Sequence, residues 1–279
     1  MVLGPSCGLI LADLGADVVK VEPAPGGDKT RQLPGSGSGF FGAFNRNKRS
    51  IAVNLKSPEG HRFATNLILE SDVLIENFGA GVMDRLGLGY KAIQEINPRL
   101  IYCALKGFLS GPYENRNALD EVVQMMGGLA YMTGPKGRPL RAGASVNDLV
   151  GALFGAVAIQ AALLERQRTG QGTFVRSGLF ESNMFLVANH MVQYCQTGMP
   201  ADPMPERKAS WAVYDVFQTA DDEKVFVGVV SDKQWVEFCR AFSLQDLVEN
   251  RDLSTNAQRV ECREKFIPRL HKMFKTYNL

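Results

Sequence analysis

The sequence predicts an α/β fold for its first two thirds and a smaller α+β unit for the remainder. In the first part, short apolar segments alternate with segments of helical periodicity, which is typical of βαβ units around a parallel sheet covered on both faces. With 45% hydrophobic and 22% charged residues among 279, the chain has the composition of an ordinary globular protein. A proline-rich segment at 200–205 separates the two parts.

The first part begins with a helix at 4–15, whose apolar positions have helical spacing and whose last residue, Gly15, suits a helix C-cap. The strand predictions depend on short runs of Val, Ile and Leu, and a proline near the first turn supports the helix that starts at Pro58. The predicted strands are 17–21, 50–55, 72–75, 100–104 and 174–175, and the further helices are 58–71, 148–166 and 179–195.

The second part starts with two β-rich segments, 213–217 and 224–230, which flank Asp221 and Asp222 as the strands of a hairpin flank a turn. A helix is predicted at 234–242. Strands followed by helices, without βαβ alternation, are the pattern of an α+β unit.

Charge and cysteine usage exclude several classes of protein. The 31 basic and 29 acidic residues leave a formal net charge of +2, which argues against nucleic-acid and membrane-surface partners. The five cysteines are widely spaced without a C-x-x-C pair, so neither a disulfide framework nor a metal site is expected.

Segment 149–164 is short for a membrane span and predicts a buried helix. No basic leader precedes Asp13, so we expect a cytoplasmic protein, the alternative being an organellar leader absent from this sequence.

Few catalytic motifs are present. Residues 37–42 match G-x-G-x-x-G, but they follow a glycine-rich loop instead of a strand, so a flexible loop is favoured over a dinucleotide site. No G-x-S-x-G, H-E-x-x-H or P-loop pattern occurs. His61, His190 and His271 lie in or near predicted helices, far in sequence from Asp148.

Asp148 is the acidic residue that stands out, because it opens a long apolar helix. Aspartate is a favoured N-cap and is stabilised by the helix dipole, so capping is the first explanation of the pattern. The alternative is catalytic, since a carboxylate at the mouth of a parallel sheet can attack an acyl carbonyl. From pattern alone, capping ranks ahead of catalysis.

Basic residues in predicted loops offer a possible anion site. Each taken singly is expected to be solvated surface charge. Several together would suit a ligand with many phosphate charges, because arginine binds phosphate oxygens bidentately and lysine adds a point charge. These residues are Arg31, Arg46, Lys48, Arg49, Lys56 and Arg85.

Read as an ordered series, the sequence resembles the class III coenzyme A transferases, the family of formyl-CoA and carnitine-CoA transferases and α-methylacyl-CoA racemase. The matching runs begin with LADLGADVVKVEP at 11–23, GDKTR at 27–31 and NRNKRS at 45–50. They continue with LKSPEG at 55–60, ENF at 76–78, RLGLG at 85–89 and NPRLI at 97–101. The stretch from Asp148 through AALLER at 161–166 to TGQG at 169–172 completes them, so nearly the whole chain is covered.

The resemblance implies a Rossmann-like parallel-sheet domain over 1–200, binding coenzyme A (CoA) and carrying the catalytic residue, and a partial small domain over 205–279. It makes Asp148 the nucleophile, which reverses the ranking above. The implied reaction moves CoA from an acyl-CoA, such as succinyl-CoA, to a small carboxylic or dicarboxylic acid. It proceeds through an aspartyl mixed anhydride and an enzyme–CoA thioester, without metal or prosthetic group. The residues implied to bind CoA are Arg31, Lys56, Asn77, Phe78 and Arg85.

Two departures from the family pattern refine these expectations. Racemase members have a histidine base at the position of Leu119, and leucine cannot take up a proton. A transferase is therefore favoured, the alternatives being a 2-methylacyl-CoA racemase or an inactive, CoA-binding truncated member. Family members also carry a strand ahead of Gly4-Pro5 and continue beyond the equivalent of Leu279, so the large domain is expected to lack its first strand and the small domain to be incomplete. The resemblance further implies an interlocked homodimer.

Overall fold

The computed structural model describes residues 1–207 and 209–279, which form two compact units, Met1–Pro205 and Glu206–Leu279. The first unit is built from five strands and nine helices among the described residues, with two short 3-10 turns at Lys29–Gln32 and Gly35–Gly37. In order, its elements are α1 (Leu3–Asp13), β1 (Val18–Pro23), α2 (Phe40–Asn45), β2 (Lys48–Val53), α3 (Pro58–Leu69), β3 (Val73–Glu76), α4 (Val82–Arg85), α5 (Tyr90–Ile96), β4 (Ile101–Lys106), α6 (Asp120–Met126), α7 (Leu129–Thr133), α8 (Val146–Thr169), β5 (Phe174–Gly178) and α9 (Leu179–Thr197).

All strand pairs of the first unit are parallel, which confirms the predicted α/β class. β1 pairs with β2, and β3, β4 and β5 form a second sheet in that order. The helices between the strands are the crossover connections that parallel pairing requires. The sequence did not indicate that the strands divide into two sheets.

β4 is the centre of the three-stranded sheet, and its side chains alternate between two apolar clusters. Ile101, Cys103 and Leu105 face the cluster that contains α1 and α8, whereas Tyr102 and Ala104 face the cluster that contains α3 and α5. All five are at most 2% exposed. A strand buried on both faces explains why this segment is continuously apolar in the sequence.

The long helix α8 packs one face on this sheet and leaves the other exposed. Ala152 and Ile159 are fully buried, and a Cβ at Gly155 would lie only 2.7 Å from a methyl carbon of Leu105, so the helix approaches β4 closely. On the opposite face Val157 is 64% and Leu164 67% exposed. The expected buried helix is therefore buried on one side only. By length and composition alone, α8 meets the criteria for a membrane span, and 39% of its apolar window is buried within the unit.

The direction of α8 places its first turn at the edge where the strands end. At the end of the helix, Arg166 donates hydrogen bonds to the carbonyls of Asp72 and Arg99, which precede β3 and β4. Near its beginning, the hydroxyl of Ser177 at the end of β5 donates to the carbonyl of Gly151, 2.8 Å away. Residues in the first turn of α8 therefore lie at the carboxyl edge of the sheet, where open α/β folds bind their ligands.

The second unit is an α+β fold, as expected from the sequence, and its core is rich in aromatic residues. Its elements are β6 (Val213–Gln218), β7 (Lys224–Val229), α10 (Asp232–Ala241), α11 (Gln245–Glu249), α12 (Asn256–Glu261) and α13 (Arg263–Phe274), with a 3-10 turn at Arg251–Leu253. β6 and β7 form the predicted antiparallel hairpin. Phe217, Trp235, Phe266 and Leu270 are almost completely buried beneath it.

Candidate active site

Residues that the sequence singles out for ligand binding follow the carboxyl ends of parallel strands. Arg31 comes after β1 and Lys56 after β2, while Asn77 and Phe78 directly follow β3 and Arg85 ends the short helix α4. Loops at the carboxyl ends of strands form the ligand-binding crevice in open parallel sheets.

Lys56 and Arg85 line one cavity of about 360 Å³. The cavity also includes Ser57, the N-cap of α3, whose hydroxyl accepts the N–H of Gly60 at 3.1 Å. His61, in the first turn of α3, is a further lining residue. Lysine, arginine and a helix N-terminus together form an environment suited to a phosphate group. The sequence assigned His61 no role, because a histidine five residues from Lys56 shows its proximity to Arg85 only in the fold.

The loop of Asn77 and Phe78 is held by hydrogen bonds from its backbone to two side chains. The carboxylate of Glu76 accepts the N–H of Phe78 at 2.9 Å, and Lys106 donates from Nζ to the Phe78 carbonyl at 2.9 Å. The Phe78 ring itself remains 46% exposed. The Asn77 side chain lies against α1, since a Cβ placed on Gly4 would be 2.6 Å from its Oδ1. Neither residue is among those that line the Lys56–Arg85 cavity.

Arg31 is engaged within the protein. Its Nε and Nη2 donate to the two carboxylate oxygens of Glu22 at 2.9 and 2.8 Å, and its guanidinium lies 3.7 Å from the centre of the Phe41 ring. Hydrogen bonding from Arg31 lowers the pKa of Glu22 to about 2, against the opposing effect of burial. Arg31 is 40% exposed at its side chain and does not line the Lys56–Arg85 cavity. Any contact with a ligand would therefore be made by the remaining edge of the guanidinium.

Asp148 is the third residue of α8, so the expectation that it opens and caps this helix is wrong. The helix begins at Val146 after Ser145, whose side chain makes no capping hydrogen bond. The cap is supplied instead by Asp120, the first residue of α6, which accepts the N–H groups of Asn147 and Asp148 at 2.7 and 3.0 Å. The sequence did not indicate this contact, because the two aspartates are 28 residues apart.

The carboxyl group of Asp148 is partly buried and holds its proton unusually strongly. Burial is the main cause and the negative charge of Asp120 the second, and together they raise the pKa of Asp148 to about 6. Glu121 adds to this effect, whereas the Met1 amino group and a hydrogen bond from the Leu3 backbone oppose it. The group is still largely ionised at neutral pH, as a nucleophile or general base must be.

The first turn of α1 connects Asp148 with the Asn77 loop. The Leu3 backbone is one of the groups that lower the pKa of Asp148, and a Cβ on Gly151 of α8 would lie 3.0 Å from the Leu3 side chain. The Asn77 side chain lies against Gly4. Adjacent Cα atoms are only about 3.8 Å apart, so neighbouring residues of α1 face α8 and the Asn77 loop. Asp148 and Asn77 therefore both lie near the first turn of α1. Lys56 and Arg85 instead line the cavity described above.

Leu119 precedes Asp120 at the start of α6, and its side chain is 60% exposed. An alkyl side chain cannot accept a proton, so this position provides no base. Within 1–207 and 209–279 there is no group of three or more His, Cys, Asp or Glu residues arranged to hold a metal ion.

Comparison with known proteins identifies relatives along the whole chain. The model of CoA-transferase family III matches residues 1–279. An acyl-CoA transferase from Fusarium pseudograminearum is 39% identical, with 97% of this chain and 62% of the relative covered. Human succinyl-CoA:glutarate CoA-transferase is 35% identical, with 97% and 63% covered.

The fold has solved counterparts as well. The structure of a CAIB/BAIF family protein from Brucella suis superimposes with a TM-score of 0.84 at 34% identity, covering 99% of this chain and 76% of that one. The chain spans 62% and 63% of the length of the fungal and human relatives. A family match over all 279 residues, together with this structural agreement, shows that the chain belongs to CoA-transferase family III.

Proposed function

We propose that this protein transfers coenzyme A from an acyl-CoA thioester to a small carboxylic or dicarboxylic acid, with Asp148 as the covalent nucleophile. The observation that carries the proposal is the carboxyl group of Asp148, which is partly accessible, has a pKa of about 6 and lies at the carboxyl edge of the parallel sheet. A desolvated carboxylate attacks a carbonyl more readily than a fully hydrated one.

The relatives indicate the class of substrate. They include succinyl-CoA:glutarate CoA-transferase of mouse, succinyl-CoA:mesaconate CoA-transferase of Haloarcula marismortui and acetyl-CoA:oxalate CoA-transferase of Acetobacter aceti. The named acceptors are all small dicarboxylic acids. We therefore propose an acceptor of this kind, with succinyl-CoA as the first donor to test.

In the proposed first step, a carboxylate oxygen of Asp148 attacks the carbonyl carbon of the donor thioester. A C–O bond forms, the C–S bond breaks, and the negative charge leaves on the CoA thiolate, so that Asp148 becomes part of a mixed anhydride. The thiolate then attacks the Asp148 carbonyl carbon, which gives an enzyme–CoA thioester and releases the donor acid as its carboxylate. The acceptor carboxylate repeats both steps in reverse, leaves as the new acyl-CoA and regenerates ionised Asp148.

The proposed CoA-binding residues divide by chemistry. Lys56 and Arg85 share a cavity and would bind phosphate oxygens, with His61 beside them. Asn77 and Phe78 would contact the pantetheine arm or the adenine, since an exposed aromatic ring provides a stacking surface. Arg31 would add a charge through the guanidinium edge that Glu22 leaves open.

A racemase function is disfavoured by Leu119, since removal of an α-proton needs a base and leucine supplies none. CoA binding without chemistry is the other alternative, and the experiment below separates it from transfer.

We further propose a homodimer in the cytoplasm. Exposed apolar side chains on α8 and α9 support the dimer, among them Val157 at 64% and Phe185 at 67% exposure, because large apolar surfaces are commonly covered by a partner. The five free cysteines support a reducing compartment. Sedimentation of the unmodified protein and of Val157→Glu tests the dimer. If both samples sediment as monomers, the proposed homodimer is refuted.

The function is tested by incubating the purified protein with succinyl-CoA and, in turn, glutarate, mesaconate, oxalate or 2-methyl acids, and separating the CoA esters by chromatography. Transfer is expected with at least one dicarboxylic acid and is lost in Asp148→Ala. Glu165→Gln, at the far end of α8, is the matched control and should retain activity. Unreduced turnover by Asp148→Ala would refute the nucleophile, and bound CoA without exchange in the unmodified protein would favour the binding alternative.

A further inference from the structure

We propose that Asp120 is the positioning residue of the nucleophile, because its buried carboxylate holds the backbone of Asp148 and places a fixed negative charge beside the attacking group. This inference rests on the proposed role of Asp148.

The contacts of Asp120 form a complete set for an ionised carboxylate. Its Oδ2 accepts the N–H groups of Asn147 at 2.7 Å and Asp148 at 3.0 Å, and its Oδ1 accepts a hydrogen bond from the amide of Gln124. All three are donors, and an ionised carboxylate is an acceptor only. The residue is 4% exposed, so its carboxylate has lost most of its hydration, and these hydrogen bonds compensate for that loss.

The surrounding polar residues extend this anchoring. The Gln124 side chain is completely buried, and its Oε1 accepts the N–H of Ala142 at 2.7 Å, which ties the loop before α8 to α6. The Asn147 side chain donates to the backbone carbonyl of Asp120 at 3.4 Å and accepts a bond from Asn183 of α9 at 3.2 Å. Three helices thus meet at the turn that carries Asp148. Its backbone is held through this network, while its carboxyl group remains partly accessible.

The arrangement has a chemical consequence for the proposed reaction. Ionised Asp148 next to ionised Asp120 is an unfavourable pair of like charges. Attack on a thioester converts the Asp148 carboxylate into a neutral acyl group, and the charge departs on the thiolate. The repulsion is then relieved, so Asp120 favours the acylated forms of Asp148 over the free carboxylate. Asp120 touches no reacting atom in this scheme, and its effect is exerted through Asp148.

The charged groups around Asp148 set the expected titration. From α6, Asp120 and Glu121 raise its pKa, and the Glu121 carboxylate is also paired with Arg141 at the surface. From the α1 side, the Met1 amino group lowers it. Glu121→Gln is therefore the matched control for Asp120→Asn, because it removes the neighbouring negative charge but no hydrogen bond to the Asn147 or Asp148 backbone.

The test follows the Asp148 carboxyl carbon by NMR during a pH titration of the full chain, with Asp148→Asn assigning the signal. In the unmodified protein the midpoint is expected near pH 6. In Asp120→Asn it should move toward 3.8 and remain above it, because the first cause of the shift, burial, persists. Exchange of the Asn147 and Asp148 amides should become at least about tenfold faster, as expected for loss of a hydrogen bond to a charged group.

Turnover adds a second readout. Asp120→Asn should lower kcat for acyl exchange on the order of a hundredfold, as small misplacements of a reacting group do, with KM for the acyl-CoA little changed. Glu121→Gln should show a smaller midpoint shift and unchanged amide exchange.

An unchanged midpoint and unchanged amide exchange in Asp120→Asn would overturn the proposal. If that variant does not fold, an Asp148 midpoint near 3.8 or rapid exchange of both amides in the unmodified protein would overturn it equally. Failure of the nucleophile assignment is distinguishable, because Asp148→Ala would then retain turnover while the midpoint still responds to Asp120→Asn.

Discussion

Glu76 and Lys106 form an ion pair across the carboxyl ends of β3 and β4, with Lys106 Nζ 2.6 Å from Glu76 Oε1. The pair also holds both backbone polar groups of Phe78, at 2.9 Å each. The conformation of the proposed CoA-binding loop therefore depends on two residues inside the sheet.

Lys106→Met should weaken binding of acyl-CoA by about tenfold, since the Phe78 carbonyl loses its donor and Glu76 is left as an unpaired, 5% exposed carboxylate. Calorimetric titration with CoA measures the change. Lys233→Met is the control, because Lys233 belongs to an exposed ion pair in the second unit and its loss should leave affinity unaltered. Equal affinities of Lys106→Met and the unmodified protein would show that the loop does not bind CoA.

The cavity of Lys56 and Arg85 leads to a prediction about salt. Lys56→Ala and Arg85→Ala should each raise the Kd for CoA about tenfold, because each removes a charge-assisted hydrogen bond to phosphate. The dependence of Kd on salt concentration should also become shallower, since fewer charges are paired on binding. Arg62→Ala, an exposed residue of α3, is the control. Loss of affinity in the control as well would indicate non-specific attraction.

Asp148 should lower the stability of the folded protein at neutral and basic pH. Its folded-state pKa of about 6 lies above the ordinary 3.8, so the folded chain binds the proton more tightly than the unfolded chain does. The penalty for the ionised group is complete above pH 6 and disappears as the pH falls below 3.8. Asp148→Asn should therefore raise the free energy of unfolding at pH 8 by about 1–2 kcal/mol, allowing for partial solvent screening.

Urea unfolding of this variant at pH 8 and at pH 3.5 measures the effect, and the gain should be present only at the higher pH. Glu165→Gln on the exposed end of the same helix should change little at either pH. An equal increase in the free energy of unfolding at both pH values would mean that the surroundings do not destabilise the ionised form of the Asp148 carboxyl group.

Glu22 has the opposite behaviour, because Arg31 lowers its pKa from 4.5 to about 2. The ion pair contributes its full stability above pH 4.5, and the contribution is lost as the pH falls through 2. Glu22→Gln should lower the free energy of unfolding at pH 7 by about 2 kcal/mol, less than for a fully buried pair because Arg31 is 40% exposed.

The difference between Glu22→Gln and the unmodified protein should shrink as the pH approaches 2. Asp17→Asn disrupts the pair with Arg49, whose members are both 70% exposed, and should change stability by about 0.5 kcal/mol or less. Comparable losses in the two variants would contradict the special role of the Glu22–Arg31 pair.

Local patterns in the sequence predicted the seven described strands and the helices α1, α3, α8, α9 and α10, but not the remaining helices. Helix α2 begins at Phe40, within the segment 37–42 that was expected to be a flexible loop. β4 was recognisable because a strand buried on both faces must be continuously apolar, and the hairpin of β6 and β7 because turn residues separate two β-rich runs. The division of the strands into two sheets was not predictable, since pairing joins segments far apart in sequence, such as Val18 with Lys48.

Residues of the candidate site were predictable from the sequence only where a chemically suitable side chain also lies next to a recognisable helix or strand. Asp148 attracts notice as an acid beside an apolar helix, yet its place as third residue of α8 depends on a cap from Asp120, which no local pattern reveals. The same holds for His61, which reaches the Lys56–Arg85 cavity through the packing of α3. The exposed face of α8 could not be distinguished from its buried face because both are apolar.

The most direct test of the nucleophile is chemical trapping. The protein is incubated with succinyl-CoA, quenched with hydroxylamine and digested, and the peptide containing Asp148 is analysed by mass spectrometry. Since anhydrides and thioesters react with hydroxylamine whereas free carboxylates do not, we expect a hydroxamate at Asp148 in the unmodified protein and none in Asp148→Ala. Unmodified Asp148 under conditions in which acyl exchange proceeds would contradict the account.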